Sequence, residues 1–241
     1  MLFLSLLVIH VASGFIALIS GLGAMGSRKA ASGLHAQAGN VFCLSMSAMT
    51  VSAAILTAWE PDRLTLGAAI WTFYLVHSAR SAARQRSEAL SRGARWLIAV
   101  GMFAALLFLH GGVLAQASPK GEFQGMPAAA YFVFGAAATL ASLSDLSLLL
   151  RDRLSPRQRI ARHLWRMVVA YLLAVTSLFL GQQDDVFPFM AGSPILLLPS
   201  LLTLCYLIFW SVHVRMAHDW LRHRPGRSRK IDSTHSQEEP A

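Results

Sequence analysis

Six histidines lie on or at the ends of strongly apolar stretches of this chain: His10, His35, His77, His110, His163 and His213. An ionisable side chain in hydrocarbon is costly, so each one marks a candidate functional site. Three chemistries suit buried imidazoles in such a setting. They can ligate haem iron from facing helices. They can pass protons in a relay with a carboxylate. They can also make hydrogen bonds that hold helices together. Asp145 is the other residue of this kind, a carboxylate with Ser142 and Ser144 beside it and Arg151 between one and two turns further on. It must pair, protonate or reach water, and an inner histidine or arginine is the expected partner.

The elements that carry these residues are set by composition. The chain has 241 residues, of which 55% are hydrophobic and only 14% charged, against about 25% charged in a soluble domain. Apolar stretches cover residues 2–23, 40–58, 64–78, 96–117, 127–150, 164–181 and 195–214. A membrane span needs roughly 20 such residues. The third stretch is the shortest and reaches residue 83 only if Arg80 snorkels. The expected fold is therefore all-α: a polytopic membrane helix bundle of seven transmembrane helices over residues 1–221. A disordered basic-then-polar tail follows over residues 222–241. The first stretch lacks a positive leader, since its first basic residue is Arg28, and reads as a permanent helix. Pro194 suits a first helical turn, and Pro199 bends the last helix or delays its start.

The formal net charge is +9, yet the basic residues sit in blocks between apolar stretches. A nucleic-acid-binding protein would gather them on one folded face. All but Arg63 and Lys120 of the 21 Lys and Arg fall at alternate ends of the seven stretches. The acids Glu60, Asp62, Glu122, Asp184 and Asp185 lie at the other ends. The positive-inside rule then puts the N-terminus outside and the C-terminus in the cytoplasm. The bilayer itself is the first partner, with anionic lipid head groups attracted to the basic face. Cys43 and Cys205 both lie within spans and no disulfide is expected. The chain has no HExxH, no CxxC and no CxxCH, which excludes a covalently attached c-type haem.

Orientation divides the histidines into two layers. On the first helix His10, Gly14, Ala17 and Gly21 share one face, a small-residue stripe that lets backbones approach. His163, Met167, Ala170, Ala174, Ser177 and Gly181 form a similar stripe, and so do His35, Gly39, Cys43, Met46 and Thr50. His10 lies about 12 Å and His110 roughly 10 Å below the outer end of its helix, at about 1.5 Å per residue. Gly111 and Gly112 leave room beside His110. His35, His77, His163 and His213 form a second layer at the cytoplasmic edge.

Three segments carry a resemblance. HVASGFIALISG at His10, GLHAQAGNVF at His35 and QRIARHLWRMVVAY over residues 158–171 resemble motifs of an uncharacterised bacterial multi-pass membrane family, domain of unknown function 2306. They cover about a third of the chain. The family's R-H-x-W-M and R-S-Y elements stand here as RHLWRM and VVAY. The resemblance implies a multi-pass architecture in a bacterial inner membrane and carries functional weight to His10, His35 and His163, with Arg166 as an approximate match. It implies no activity.

Four functional classes follow. The first is a b-type haem protein moving electrons to a redox partner or quinone. Its iron is held by His10 and His110, and a second haem by two of His35, His77, His163 and His213. This resembles the cytochrome b561 class in outline. The second is a proton-coupled transporter using the histidines and Asp145 as a relay. The third is a non-catalytic membrane component, an assembly or sensory partner. The fourth is a membrane enzyme, for which the chain offers no GxSxG nucleophile elbow. The topology has a direct check. A cytoplasm-active reporter fused after residue 222 should be active, and one inserted after Lys120 inactive, with a periplasm-active reporter giving the reverse; any other result breaks the charge argument.

Overall fold

A computed structural model describes residues 1–27, 33–84, 92–149 and 155–222. The tail expected from residue 222 onward falls outside the described residues, save its first residue. The basic stretches at Arg28, Arg86 and Arg151 lie outside them too. The helices are α1 (Leu2–Gly26), α2 (Leu34–Leu56), α3 (Arg63–Arg84), α4 (Arg92–Ala117), α5 (Ala128–Leu149), α6 (Pro156–Thr176), a short α7 (Gln183–Val186) and α8 (Leu198–Arg222).

Among the described residues, six helices are long and apolar enough to cross a membrane: α1, α2, α4, α5, α6 with its continuation to Gly181, and α8. Exposed Leu, Ile, Val and Phe side chains cover α1 and α8. In water they would form apolar patches far beyond what a soluble monomer shows. The helices thus suit a multi-pass membrane protein.

α3 is the exception in composition and the centre in packing. It packs against α2, α4 and α6, and buries Trp71, Tyr74, Leu75, Val76 and Ala79 almost completely. Its 22 residues reach about 33 Å, enough for a hydrocarbon core of about 30 Å. Its low apolarity has a physical reason. Neighbouring helices cover it, with Thr72 and Ser78 buried against them and Arg80 on the wall of a cavity, so these positions need no apolar replacement. The helix starts at Arg63, where the Asp62 carboxylate accepts from Leu64 N at 2.9 Å and caps its first turn, and it runs past the 64–78 stretch to Arg84.

α6 begins with a capping box. Ser155 Oγ accepts from Gln158 N while the Gln158 side chain accepts from Ser155 N, and Pro156 occupies the first turn. Its far end widens into a π-helical turn over Ser177–Gly181. Two 3₁₀ turns, Pro188–Met190 and Pro194–Leu197, then lead into α8. Pro199 lies in the first turn of α8, so it delays the helix rather than bending it.

The all-α expectation needs one small correction. Strands β1 (Glu122–Phe123) and β2 (Met126–Pro127) form a short hairpin between α4 and α5. Its turn residues Gln124 and Gly125 have φ of 51° and 75°, the twist that a two-residue hairpin favours. The Gln124 amide accepts from Arg63 N at 2.8 Å and donates to Pro61 O at 2.7 Å, tying the hairpin to the start of α3.

Glycines set the closest helix approaches. A Cβ on Gly111 would lie 2.6 Å from the Tyr131 ring, and one on Gly112 would lie 2.7 Å from Phe132. These two glycines seat aromatic rings of α5 rather than making room for His110. Gly111→Ala should therefore cost about 1–3 kcal/mol through overpacking. Gly39→Ala, where a Cβ meets nothing within 4 Å, should be neutral or stabilise by roughly 0.5–1 kcal/mol. Thermal unfolding in detergent distinguishes the two, and equal shifts would contradict the packing.

Candidate functional site

The histidines do not form one group. His10 donates through Nδ1 to Met49 O at 3.0 Å, with Ser52 Oγ at 3.4 Å, so it is turned toward α2. His110 is exposed, and its Nδ1 accepts from Arg63 Nη1 at 2.6 Å. α1 packs chiefly on α2, and α4 on α5 and α3. The outer pair expected from the sequence is therefore not brought together, because span order does not fix neighbours. His77 joins α2 to α3. The Ser47 hydroxyl donates to Cys43 O at 2.6 Å, so it accepts from His77 Nε2 at 3.0 Å. His213 is exposed on α8 and stacks on Phe209 at 5.9 Å.

His35 and His163 are brought together. Their ring centres are 6.4 Å apart with planes at 75°, and both line one cavity of about 700 Å³. Each donates through Nδ1 to a backbone carbonyl of another helix: His35 to Ala24 O at 2.9 Å and His163 to Ala79 O at 3.2 Å. A carbonyl only accepts, so in each ring it is Nδ1 that carries the donated proton. The remaining wall comes from five helices. Gly21 of α1, Phe42 and Cys43 of α2, and Met167 and Tyr171 of α6 make an apolar interior. Arg80 and Arg84 of α3, Arg159 of α6 and Asn40 of α2 supply the polar wall, with Arg84 Nη2 donating to Asn40 Oδ1 at 3.2 Å. Tyr206 of α8 lines the cavity as well and donates to Met25 O at 3.3 Å. Gly21 is essential to the shape, since a Cβ there would sit 2.5 Å from the Tyr171 ring.

The next face of α6 carries a second cluster. Asp145, 2% exposed, meets both Arg162 and Arg166. Arg166, fully buried, grips it with two nitrogens, Nη1 donating to Oδ2 at 3.0 Å and Nη2 to Oδ1. Tyr74 OH donates to Oδ2 at 2.8 Å. Arg166 Nη2 also donates to Ser144 Oγ at 3.2 Å and Ala141 O at 3.3 Å. Its guanidinium lies 5.3 Å from the Tyr74 ring centre and 5.1 Å from that of Trp165, within cation–π range. The carboxylate thus found arginines, not a histidine.

Sequence reasoning singled out Asp145 and Arg166 but missed Arg162 and Tyr74. The spacing of Arg162 and Arg166, one helical turn apart, was a usable signal. Tyr74 had none, because nothing local marks which helix faces α5. Arg80, Arg84 and Arg159 read as topology charges, which hid their place on a cavity wall.

No protein-family model matches the chain, and no curated protein or solved structure matches it either.

Removing one partner from a buried ion pair leaves an uncompensated charge, at about 3–5 kcal/mol. Asp145→Asn should lower the melting temperature strongly, and Arg166→Leu likewise. The double variant Asp145→Leu/Arg166→Leu should lose less than the sum, since contacting residues couple by about 0.5–3 kcal/mol. Additive losses in detergent unfolding would contradict a direct pair.

Proposed function

We propose that this chain is a seven-span protein of a bacterial inner membrane that binds an amphipathic ligand in the cavity beside His35 and His163. α3 is the seventh span, the N-terminus lies outside and the C-terminus is cytoplasmic. On this reading the chain is a binding component of the membrane, and membership of the family named above is part of the same proposal. The observation that carries it is the cavity wall. Its interior is apolar, and the charged residues on it are Arg80, Arg84 and Arg159, with no acid among the described residues that line it. A volume of about 700 Å³ falls in the roughly 300–1,000 Å³ range of small-molecule sites. An apolar body fits the interior, and an anionic head fits the arginines, which suit carboxylate and phosphate.

With the N-terminus outside, this cavity belongs to the inner half of the bilayer, at the basic face. A ligand there enters from the inner leaflet or the lipid phase. The relay reading gains no support, because Asp145 is engaged by Arg162, Arg166 and Tyr74 rather than by an imidazole.

A fluorescent long-chain carboxylate titrated into the detergent-purified protein tests the reading. Hydrogen bonds to charged groups contribute about 1.5–3 kcal/mol each. Arg80→Gln/Arg84→Gln should therefore weaken binding by roughly 10-fold or more, while His110→Ala leaves it unchanged. Equal affinity in the wild type and the double variant would refute an anionic-head site.

A further inference from the structure

We infer that the ligand is a lipid phosphate of the inner leaflet, a monoester whose head meets Arg80 and Arg84 and whose one chain fills the cavity toward the middle of the bilayer. The inference rests on the cavity-binding reading and orientation proposed above, and it names the ligand's class and pose. Depth, volume and charge each bear on it separately.

Depth comes from the order of residues along the wall. Arg80 and Arg84 lie in the last two turns of α3, and Arg159 near the start of α6. These are the basic ends of the helices. Gly21, Phe42 and Tyr171 line the same cavity further along α1, α2 and α6. The wall therefore runs from cations to an apolar floor along the helix direction. From Arg159 to Tyr171 it climbs about 18 Å at about 1.5 Å per residue. One leaflet is close to that depth, being half of a bilayer about 40–45 Å thick with its head groups. A molecule matching this wall has the length and polarity of a lipid lying parallel to its neighbours in the leaflet.

Volume limits the number of chains. A methylene takes about the space of a water molecule, roughly 30 Å³. A cavity of about 700 Å³ then holds roughly 23 such groups, which is one chain with its head and not two chains. A two-chain lipid would leave its second chain in the bilayer.

Charge selects the head. Neither Arg80 nor Arg84 meets a carboxylate among the described residues, and Arg84 donates to the neutral Asn40 amide. The two arginines are one helical turn apart on α3, so they can share one head. A carboxylate brings a single negative charge to them. A phosphate monoester brings about 1.5–2 and three acceptor oxygens, and the guanidinium fork suits those oxygens. The dianion answers both cations, where a fatty acid answers one.

The test uses the full chain, purified in detergent and loaded with the fluorescent long-chain carboxylate. A long-chain alkyl phosphate, an alkyl carboxylate of equal length and inorganic phosphate are each titrated as competitors. The alkyl phosphate should displace the probe at a concentration roughly 10-fold or more below that of the carboxylate, the effect of one added charged hydrogen bond. Inorganic phosphate should displace none. Arg80→Gln and Arg84→Gln should each erase most of the phosphate preference. Gly39 lines the cavity, and a Cβ there meets nothing within 4 Å. Gly39→Phe should therefore weaken binding of both chains at an unchanged melting temperature, which separates a filled cavity from misfolding. Equal displacement by alkyl phosphate and carboxylate overturns the phosphate head and leaves the cavity reading standing. Displacement by inorganic phosphate as effective as by the alkyl phosphate overturns the lipid. Unchanged binding in a folded Gly39→Phe variant, or failure of the probe to bind at all, overturns both readings.

Discussion

A carboxylate buried in the apolar interior is tenable only with its charge answered, and Asp145 is answered twice. Arg162 and Arg166 reach it from α6, and Tyr74 reaches it from α3. Three helices are thereby pinned at one depth. Charged hydrogen bonds are directional, so the cluster also fixes how α6 is rotated about its axis. That rotation matters for everything on the neighbouring face. At 3.6 residues per turn, successive residues are about 100° apart, so holding Arg162 and Arg166 toward α5 turns His163 and Met167 toward the cavity. The cavity wall is in this sense set by the ion cluster.

Two polar systems therefore share one helix without sharing residues. The i, i+4 pair Arg162 and Arg166 serves the ion cluster. Arg159, His163 and Met167, also four apart, serve the cavity. The capping box at Ser155 secures the helix start just before both stripes, where a frayed first turn would loosen Arg159 first. α3 connects the two systems. It presents Tyr74 to Asp145, the Ala79 carbonyl to His163, and Arg80 and Arg84 to the cavity. A helix with so many polar obligations cannot also be uniformly apolar.

That explains what could be read from the chain and what could not. Apolar runs reveal the most apolar helices, so α1, α4 and α5 were legible to within a few residues, whereas α8 runs eight residues past its expected end. The same runs understate α3, whose environment is other helices. Small-residue stripes correctly marked the inward faces of α1, α2 and α6, where Ala17, Met46 and Ala170 are fully buried. Neighbour relations were not legible, since antiparallel helices of similar length admit many orders around a centre. The depth of His10 and His110 suggested a pair, but α1 and α4 pack on different partners. His35 and His163 were grouped by depth with His77 and His213, and only packing separates them.

The basic end illustrates how one residue type can satisfy two demands. Arginines at the cytoplasmic edge of a span are expected from topology alone, and that expectation would be met equally by side chains pointing into water. Here Arg80 and Arg84 line a cavity and Arg162 and Arg166 are drawn inward to a carboxylate. Topology requires only positive charge near the interface, which lysine provides as well. The inward roles require a planar fork of donors. Among residues 63–222 the only lysine is Lys120, at the opposite end from the cavity, whereas every other cation is arginine. A positive-inside signal alone would not discriminate between the two residues, so at Arg80, Arg84, Arg162 and Arg166 the choice of arginine over lysine fits the geometry of the cavity and the cluster.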